Sequence, residues 1–461
     1  MNPSGNFNLS ESVSVNPIGG TATSRTPPPH VPLMFLFSSI IFFGVGGIVT
    51  FFYASFLIHD PTDDKSVADV HLYLLGFITM GILGALHQFS PVITLEKLYS
   101  IKLAYFTYGL YIIGIILLPL GLILGSEALT AFGGASLGTS IVTVIVNLSR
   151  PLLKGKKSVS RLGLRISITY LLITACFGVT FASTHNSFSP PTHLVLAHAS
   201  FGLIGWAGIS YIAVSERLWP MFLLSHVNQA KYGKLAIYFV AIGELILAVG
   251  LIISNELIAV AGGLVIGLGI LSHLASLLNY IKHRHRKLEL LHGYIFTSVI
   301  CLITSAVMGI LAVTLNISWS YKEKLSLLTV VFLFGWLATA LIGHLHKIIP
   351  FIIWGVLRKH GVTKLKNKKP VMFSNLYLAN IAKLSLVFVI SSFVCFAIGI
   401  LQGSVDIVKV AGIFIFASAL TGFANLSITP IVLFLRNRGS KTTHGFDVSN
   451  RLPNVTSVEK I

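Results

Sequence analysis

Apolar runs recur along this 461-residue chain at about 32–57, 70–93, 101–124, 128–147, 163–183, 195–219, 233–253, 256–280, 290–314, 326–355, 379–401 and 407–435, with short polar loops between them. A helix rises about 1.5 Å per residue, so about 20 apolar residues cross the hydrocarbon layer of a bilayer. The runs have that length. Composition agrees, with 54% hydrophobic and 10% charged residues, against about 25% charged in a soluble domain. The chain reads as an all-α polytopic membrane protein of twelve transmembrane helices.

The formal charge of +18 does not point to nucleic acid, because its placement alternates. Basic residues gather in "RPLLKGKKSVSRLGLR" (150–165), "KHRHRK" (282–287), "RKHGVTKLKNKK" (358–369) and "RNRGSK" (436–441). The loops between, such as "HDPTDDKSVAD" (59–69) and "THNSFSPPTH" (184–193), are acidic or neutral, with "YKEK" (321–324) the exception. This is the positive-inside pattern of an inner or plasma membrane protein, and twelve spans with both termini cytoplasmic satisfy it. Residues 1–30, rich in Ser, Asn, Pro and Gly, read as a disordered cytoplasmic tail, and 437–461 as a second tail. The tail lacks the basic-then-apolar layout of a signal peptide. Cys176, Cys301 and Cys395 fall inside spans and form no CxxC motif, which suits packing residues.

Three even-numbered segments align without gaps: "GFITMGILGALHQFSP" (76–91), "GWAGISYIAVSERLWP" (205–220) and "GWLATALIGHLHKIIP" (335–350). Each opens with Gly and an aromatic residue and reaches Pro fifteen residues later; helices 3, 7 and 11 then open with "KLA", "KLA" and "KLS". The common phase implies three pseudo-symmetric four-helix units, at about 32–147, 163–280 and 290–435, within a membrane domain of 31–436.

With these motifs the chain resembles subunit I of the haem–copper oxidase superfamily, which includes the nitric oxide reductases, over roughly residues 32–435. The resemblance implies twelve helices in three arcs, bound haem and copper, an electron donor and partner subunits of a respiratory complex. In that family a low-spin haem is held by histidines on helices 2 and 10. A high-spin haem uses a second helix 10 histidine, and copper takes one histidine on helix 6 and two on or beside helix 7. Carried over, His71 matches the helix 2 position and His198 roughly the helix 6 one. Helix 7 (232–250) carries no histidine, and His344 and His346 lie some eighteen residues inward of the outer end of helix 10, roughly 27 Å too deep. A complete binuclear centre is not expected.

His71 and His198 differ in depth by only about 3 Å when counted from the repeat glycines. Strict pseudo-symmetry would set Ser200, not His198, opposite His71. The pair is a candidate bis-histidine haem site; the alternatives are that both, with His193, are interfacial residues, or that they form a small-ion site. At the inner end, His87, Glu216 and His346 each follow their repeat glycine by eleven residues, which places them on equivalent helix faces. Convergence near the axis would make two imidazoles and a carboxylate, a set suited to a transition metal or a proton relay, with His344, His273 and His292 at similar depth. The alternative is snorkelling to water. Glu244, mid-helix in "VAIGELILAVG", is a proton-relay candidate or a hydrogen-bonded neutral acid. Trp206, Trp219, Trp336 and Trp354 suit packing or an interfacial belt.

Three functions remain open: a subunit I-like cytochrome or nitric oxide-, oxygen- or copper-related protein without its complete centre; a transporter or metal-handling protein on the same scaffold; and a non-catalytic assembly subunit of a respiratory complex. No GxGxxG, Walker or HExxH motif supports nucleotide or zinc-protease chemistry.

Overall fold

The structure, a computed structural model, describes residues 25–227, 230–314, 318–365 and 368–438. Most of both expected tails lies outside the described residues. Twelve helices are long and apolar enough to span a bilayer: α1 His30–His59, α2 Asp64–Thr94, α3 Ile101–Leu124, α4 Glu127–Lys154, α5 Val159–Ser183, α6 Thr192–Leu223, α7 Lys231–Ile252, α8 Glu256–Lys282, α9 Leu290–Ala312, α10 Ser320–Lys359, α11 Ala379–Gln402 and α12 Val405–Leu435. Helix α10 runs past the expected segment and takes in the "YKEK" stretch. There Lys324 Nζ donates to Leu401 O at the end of α11 (3.2 Å), a favourable place for a cation because terminal carbonyls lack helical partners.

Sequence neighbours pack on each other, except that α8 and α9 barely touch, and α12 returns against α1. The apolar windows of α2, α6 and α10 are 61%, 56% and 50% buried, as is that of α1 at 56%, against 22–44% for the other helices, so the three repeat helices line the interior together with α1. The threefold correspondence extends to individual contacts. Gly76, Gly205 and Gly335 face Phe42, Tyr170 and Cys301 of the preceding helix. Eight residues on, Gly84, Ala213 and Gly343 face Phe35, Gly163 and Tyr294, seven residues away on that same helix. A small residue in each pair lets the helix axes come close, and the same knobs and gaps recur three times.

The turns joining α3–α4, α7–α8 and α11–α12 are equivalent too. Gly125, Ser254 and Gly403 take φ of 63°, 54° and 65°. The next residue returns its N–H to Gly121, Gly250 or Gly399 (2.8, 2.8 and 2.9 Å), the left-handed helix cap for which glycine is the unstrained choice.

At the ring centre the aromatic residue after each repeat glycine becomes a plug. Trp206 Nε1 donates to Thr79 Oγ1 of α2 (3.1 Å), and Trp336 lies against Gly208 of α6. Phe77, Trp206 and Trp336 are all buried. The tryptophans expected as packing residues fill that role here.

Candidate functional site

The outer histidines sit where the repeat helices change winding. Residues Leu72–Thr79 of α2 and Phe201–Gly208 of α6 are π-helical, 129 residues apart like the repeat itself. His71 ends the α-helical turn before the first such stretch. Its Nδ1 lies 2.7 Å from Val67 O; a carbonyl can only accept, so Nδ1 carries the proton and Nε2 keeps its lone pair. The His71 and His198 rings face each other with centroids 6.4 Å apart and planes inclined by 20°. His198 Nδ1 is buried without a hydrogen-bond partner, and Phe181 packs edge-on against its ring at 5.7 Å.

The two histidines meet although they are out of phase in the repeat. In a threefold ring, the position on α2 that looks toward α6 is equivalent to one on α6 that looks onward to α10. A residue looking back from α6 must sit on the opposite side of its helix. Two residues earlier is a turn of about 200°, which is what separates His198 from Ser200. The phase difference brings them together.

The spacing is close to that of two imidazoles sharing one ion, roughly 6 Å between centroids for nitrogen bonds of about 2.0–2.1 Å, but the rings are stacked, so they would have to turn for their in-plane nitrogens to converge. The family's low-spin haem does not fit in its α2–α10 position. The outer half of α10 offers no histidine, and the Tyr73 and Phe334 rings already meet across the α2–α10 interface at 6.3 Å. The binuclear centre lacks its α7 ligands and, at the required depth, its α10 ligand.

One buried group close by escaped the sequence reading. Asp69, counted there with the acidic loop, lies inside α2 and is 1% exposed. Its Oδ2 accepts from Thr50 Oγ1 of α1 (2.7 Å), and that hydroxyl also lies 2.7 Å from the Tyr73 hydroxyl. Oδ1 has no partner. Asp69 precedes His71 by two residues on one helix, and Thr50 interrupts an apolar stretch of α1; together these were the available signals.

The inner set does not converge. Among the described residues, no three His, Cys, Asp or Glu side chains come together to hold a metal ion. His87 stacks on Phe35 at 4.9 Å and donates from Nδ1 to Leu83 O (2.7 Å). His346 stacks on Tyr294 at 5.6 Å and donates to Ile342 O (2.9 Å). Each imidazole is buried inside its own unit, on the side of the preceding helix, so the proposed His87–Glu216–His346–His344 shell is corrected to separate positions. The snorkelling alternative also fails for both, at 0% and 5% exposure.

Glu216 differs. Tyr280 of α8 donates to its Oε2 (2.8 Å), and Oε1 lies 3.9 Å from His273 Nδ1. The Tyr211 ring stands edge-on to both His273 (5.7 Å) and His344 (6.0 Å). Glu216 and His344 thus share one polar region, but only through His273 and Tyr211. Ser210, Tyr211, Ser215 and Glu216 on α6, His273, Ser276 and Asn279 on α8, and Trp336 and Thr339 on α10 each bury a polar atom with no partner. Such a concentration calls for water or an ion between these helices. Glu244 of α7, 0% exposed, has neither carboxyl oxygen paired and lies alongside Ser200.

Compared by sequence, the chain matches no family model and no curated protein. Compared by structure, it is similar to a heme-copper terminal oxidase solved as a dimer, at a TM-score of 0.62 and 11% identity, over 91% of this chain and 85% of that one. The likeness is one of fold.

Proposed function

We propose that the chain is a subunit I-like integral membrane protein in which the haem–copper centre is reduced to one metal position, held by His71 of α2 and His198 of α6. The observation that supports it is the facing of these two rings at 6.4 Å, with His71 fixed in the tautomer that presents Nε2. Imidazole donors suit copper, iron and zinc, and His71 and His198 would be the two side chains that hold the ion. Bound copper would supply one-electron exchange. Val67 orients the first ligand, Phe181 holds the second ring, and Glu244 serves as a proton relay deeper in the membrane. Partners on this reading are the bilayer, an electron donor and other respiratory subunits. The alternation of basic loops supports cytoplasmic termini, and reporter fusions after residues 160 and 285 should then read cytoplasmic.

The deciding experiment is metal analysis and an optical spectrum of protein purified from copper- and haem-supplemented cells. About one copper per chain, lost in His71→Ala and in His198→Ala, supports the proposal. A Soret band lost in His71→Ala identifies haem iron as the occupant instead. Protein free of both metals sinks the redox reading. A transporter or metal-handling role is then favoured by a separate observation, the column of unpaired polar atoms between α6, α8 and α10.

A further inference from the structure

On the face that carries the basic loops, a cleft of about 410 Å³ opens between the end of α2, the start of α5 and the end of α6. Its walls are fixed. Lys156 N donates to Thr94 O (2.7 Å), and the Arg161 guanidinium donates to Gly155 O, tying the α4–α5 connection to the end of α2. Opposite, Leu224 takes a left-handed φ of 51° and Ser225 N returns to Pro220 O (2.9 Å), a closed cap that ends α6.

The cleft is two-sided. Lys156, Lys157 and Arg217 are exposed along it, and the first turn of α5 opens into it with N–H groups and a positive helix end. Apolar surface lies on both walls, from Val92 and Ile93 at the end of α2 and from Pro220 on α6. The one carboxylate lining the cleft, Glu216, has its Oε2 taken by Tyr280, which lines the cleft as well, and its Oε1 3.9 Å from His273 Nδ1. Three cations against one carboxylate favour an anion. A second feature points to a ligand: Ser225 lines the cleft, is 7% exposed, and its hydroxyl has no partner. A buried hydroxyl without a partner is costly, and an oxyanion in the cleft would satisfy it once the side chain turned outward.

We propose that this cleft binds the phosphate headgroup of an anionic phospholipid, seated between Lys156, Lys157, Arg217 and the N-terminus of α5 with the Ser225 hydroxyl donating to it. The lipid source is favoured over a free phosphate compound because the cleft lies where α2 ends and α5 begins, at the ends of two membrane-length helices, and Val92, Ile93 and Pro220 add apolar surface to it.

The test uses the full chain, delipidated in detergent and titrated with phosphatidylglycerol, phosphatidylcholine or inorganic phosphate while Tm is followed. Phosphatidylglycerol should raise Tm, and the Lys156→Ala/Lys157→Ala/Arg217→Ala variant should weaken that response by tenfold or more, by about the electrostatic contribution of three basic residues. These side chains are exposed, so the lipid-free variant should melt with the parent. Ser225→Ala should weaken the response without changing its lipid preference. An equal Tm rise with phosphatidylcholine overturns the proposal, as does an undiminished response in the triple variant. The full effect from inorganic phosphate alone assigns a phosphate site and overturns the lipid. Should the triple variant melt lower without lipid, phosphatidylglycerol co-purifying with the parent and Ser225→Ala proteins, measured by mass spectrometry, decides; equal amounts in both count against.

Discussion

The second four-helix unit departs from the first at matching positions on the basic-loop face. In the first, Arg150 Nε donates to Glu96 Oε1 at 2.7 Å. The residues 129 further on are Asn279 and Ser225, and both side chains lack partners. Asn147 of the first unit accepts from Ser100 N (2.9 Å), and Asn425 of the third from Leu378 N (2.7 Å). Their counterpart, Ser276, is unpaired. Where the first and third units set an imidazole on an aromatic ring, the second has Glu216 and, in place of the ring, Gly163. One backbone plan therefore yields two packed units and one open, polar unit, and the difference lies in the side chains that bolt helix ends together.

The comparison breaks most decisively at Gly163. Phenylalanine there would copy the first unit, but the site faces Ala213 and Ile237 with no room for a ring. Gly163→Phe is expected to abolish the folded protein, read as loss of monodisperse material in size exclusion. The reciprocal change, Phe35→Ala, should leave the fold intact but cost about 3–5 kcal/mol by opening a cavity beside His87, measured as a drop in Tm. Ser254→Gly runs the other way. It gives the second unit the glycine of the other two and should stabilise by about 1 kcal/mol, because a left-handed φ strains any residue with a Cβ.

The smallest effect belongs to the ion pair. The hydrogen bond from Arg150 holds the half-buried Glu96 carboxyl below its ordinary value of 4.5. A depressed carboxyl contributes stability that is present above the unfolded value and lost as pH falls through the folded one. Tm of the parent should therefore fall slightly more than that of Arg150→Ala as pH drops from neutral into the acid range. Parallel curves would show that the first unit does not depend on this bolt.

Much of the fold was legible because a bilayer permits few solutions: spans, count and threefold phase all followed from apolar length and a fifteen-residue Gly-to-Pro frame. The outer pair was legible by depth alone. Its facing geometry was not, since phase in a ring must be counted toward a neighbour and not only toward the axis. The inner set failed for a related reason. Common register fixes the face a residue occupies, and here that face turns to the preceding helix, where Phe35 and Tyr294 await His87 and His346. Asp69 was missed because its helix begins inside what looked like an acidic loop. The unpaired column of the second unit was hidden as well, because serines, tyrosines and histidines scattered over three helices meet only when packed.

Helices α1 and α12 cross so closely that Gly47 and Gly412 each face the other's carbonyl oxygen, which gives the chain a timetable. During synthesis α1 is finished about 350 residues before α12 begins, an interval of roughly 20–70 s at about 5–20 residues per second. Throughout that time the glycine face of α1 has no mate and must be sheltered by lipid or by an insertion factor. Closure of the ring thus has to wait for α12. A chain that stops before that span is a barrel stave without its hoop.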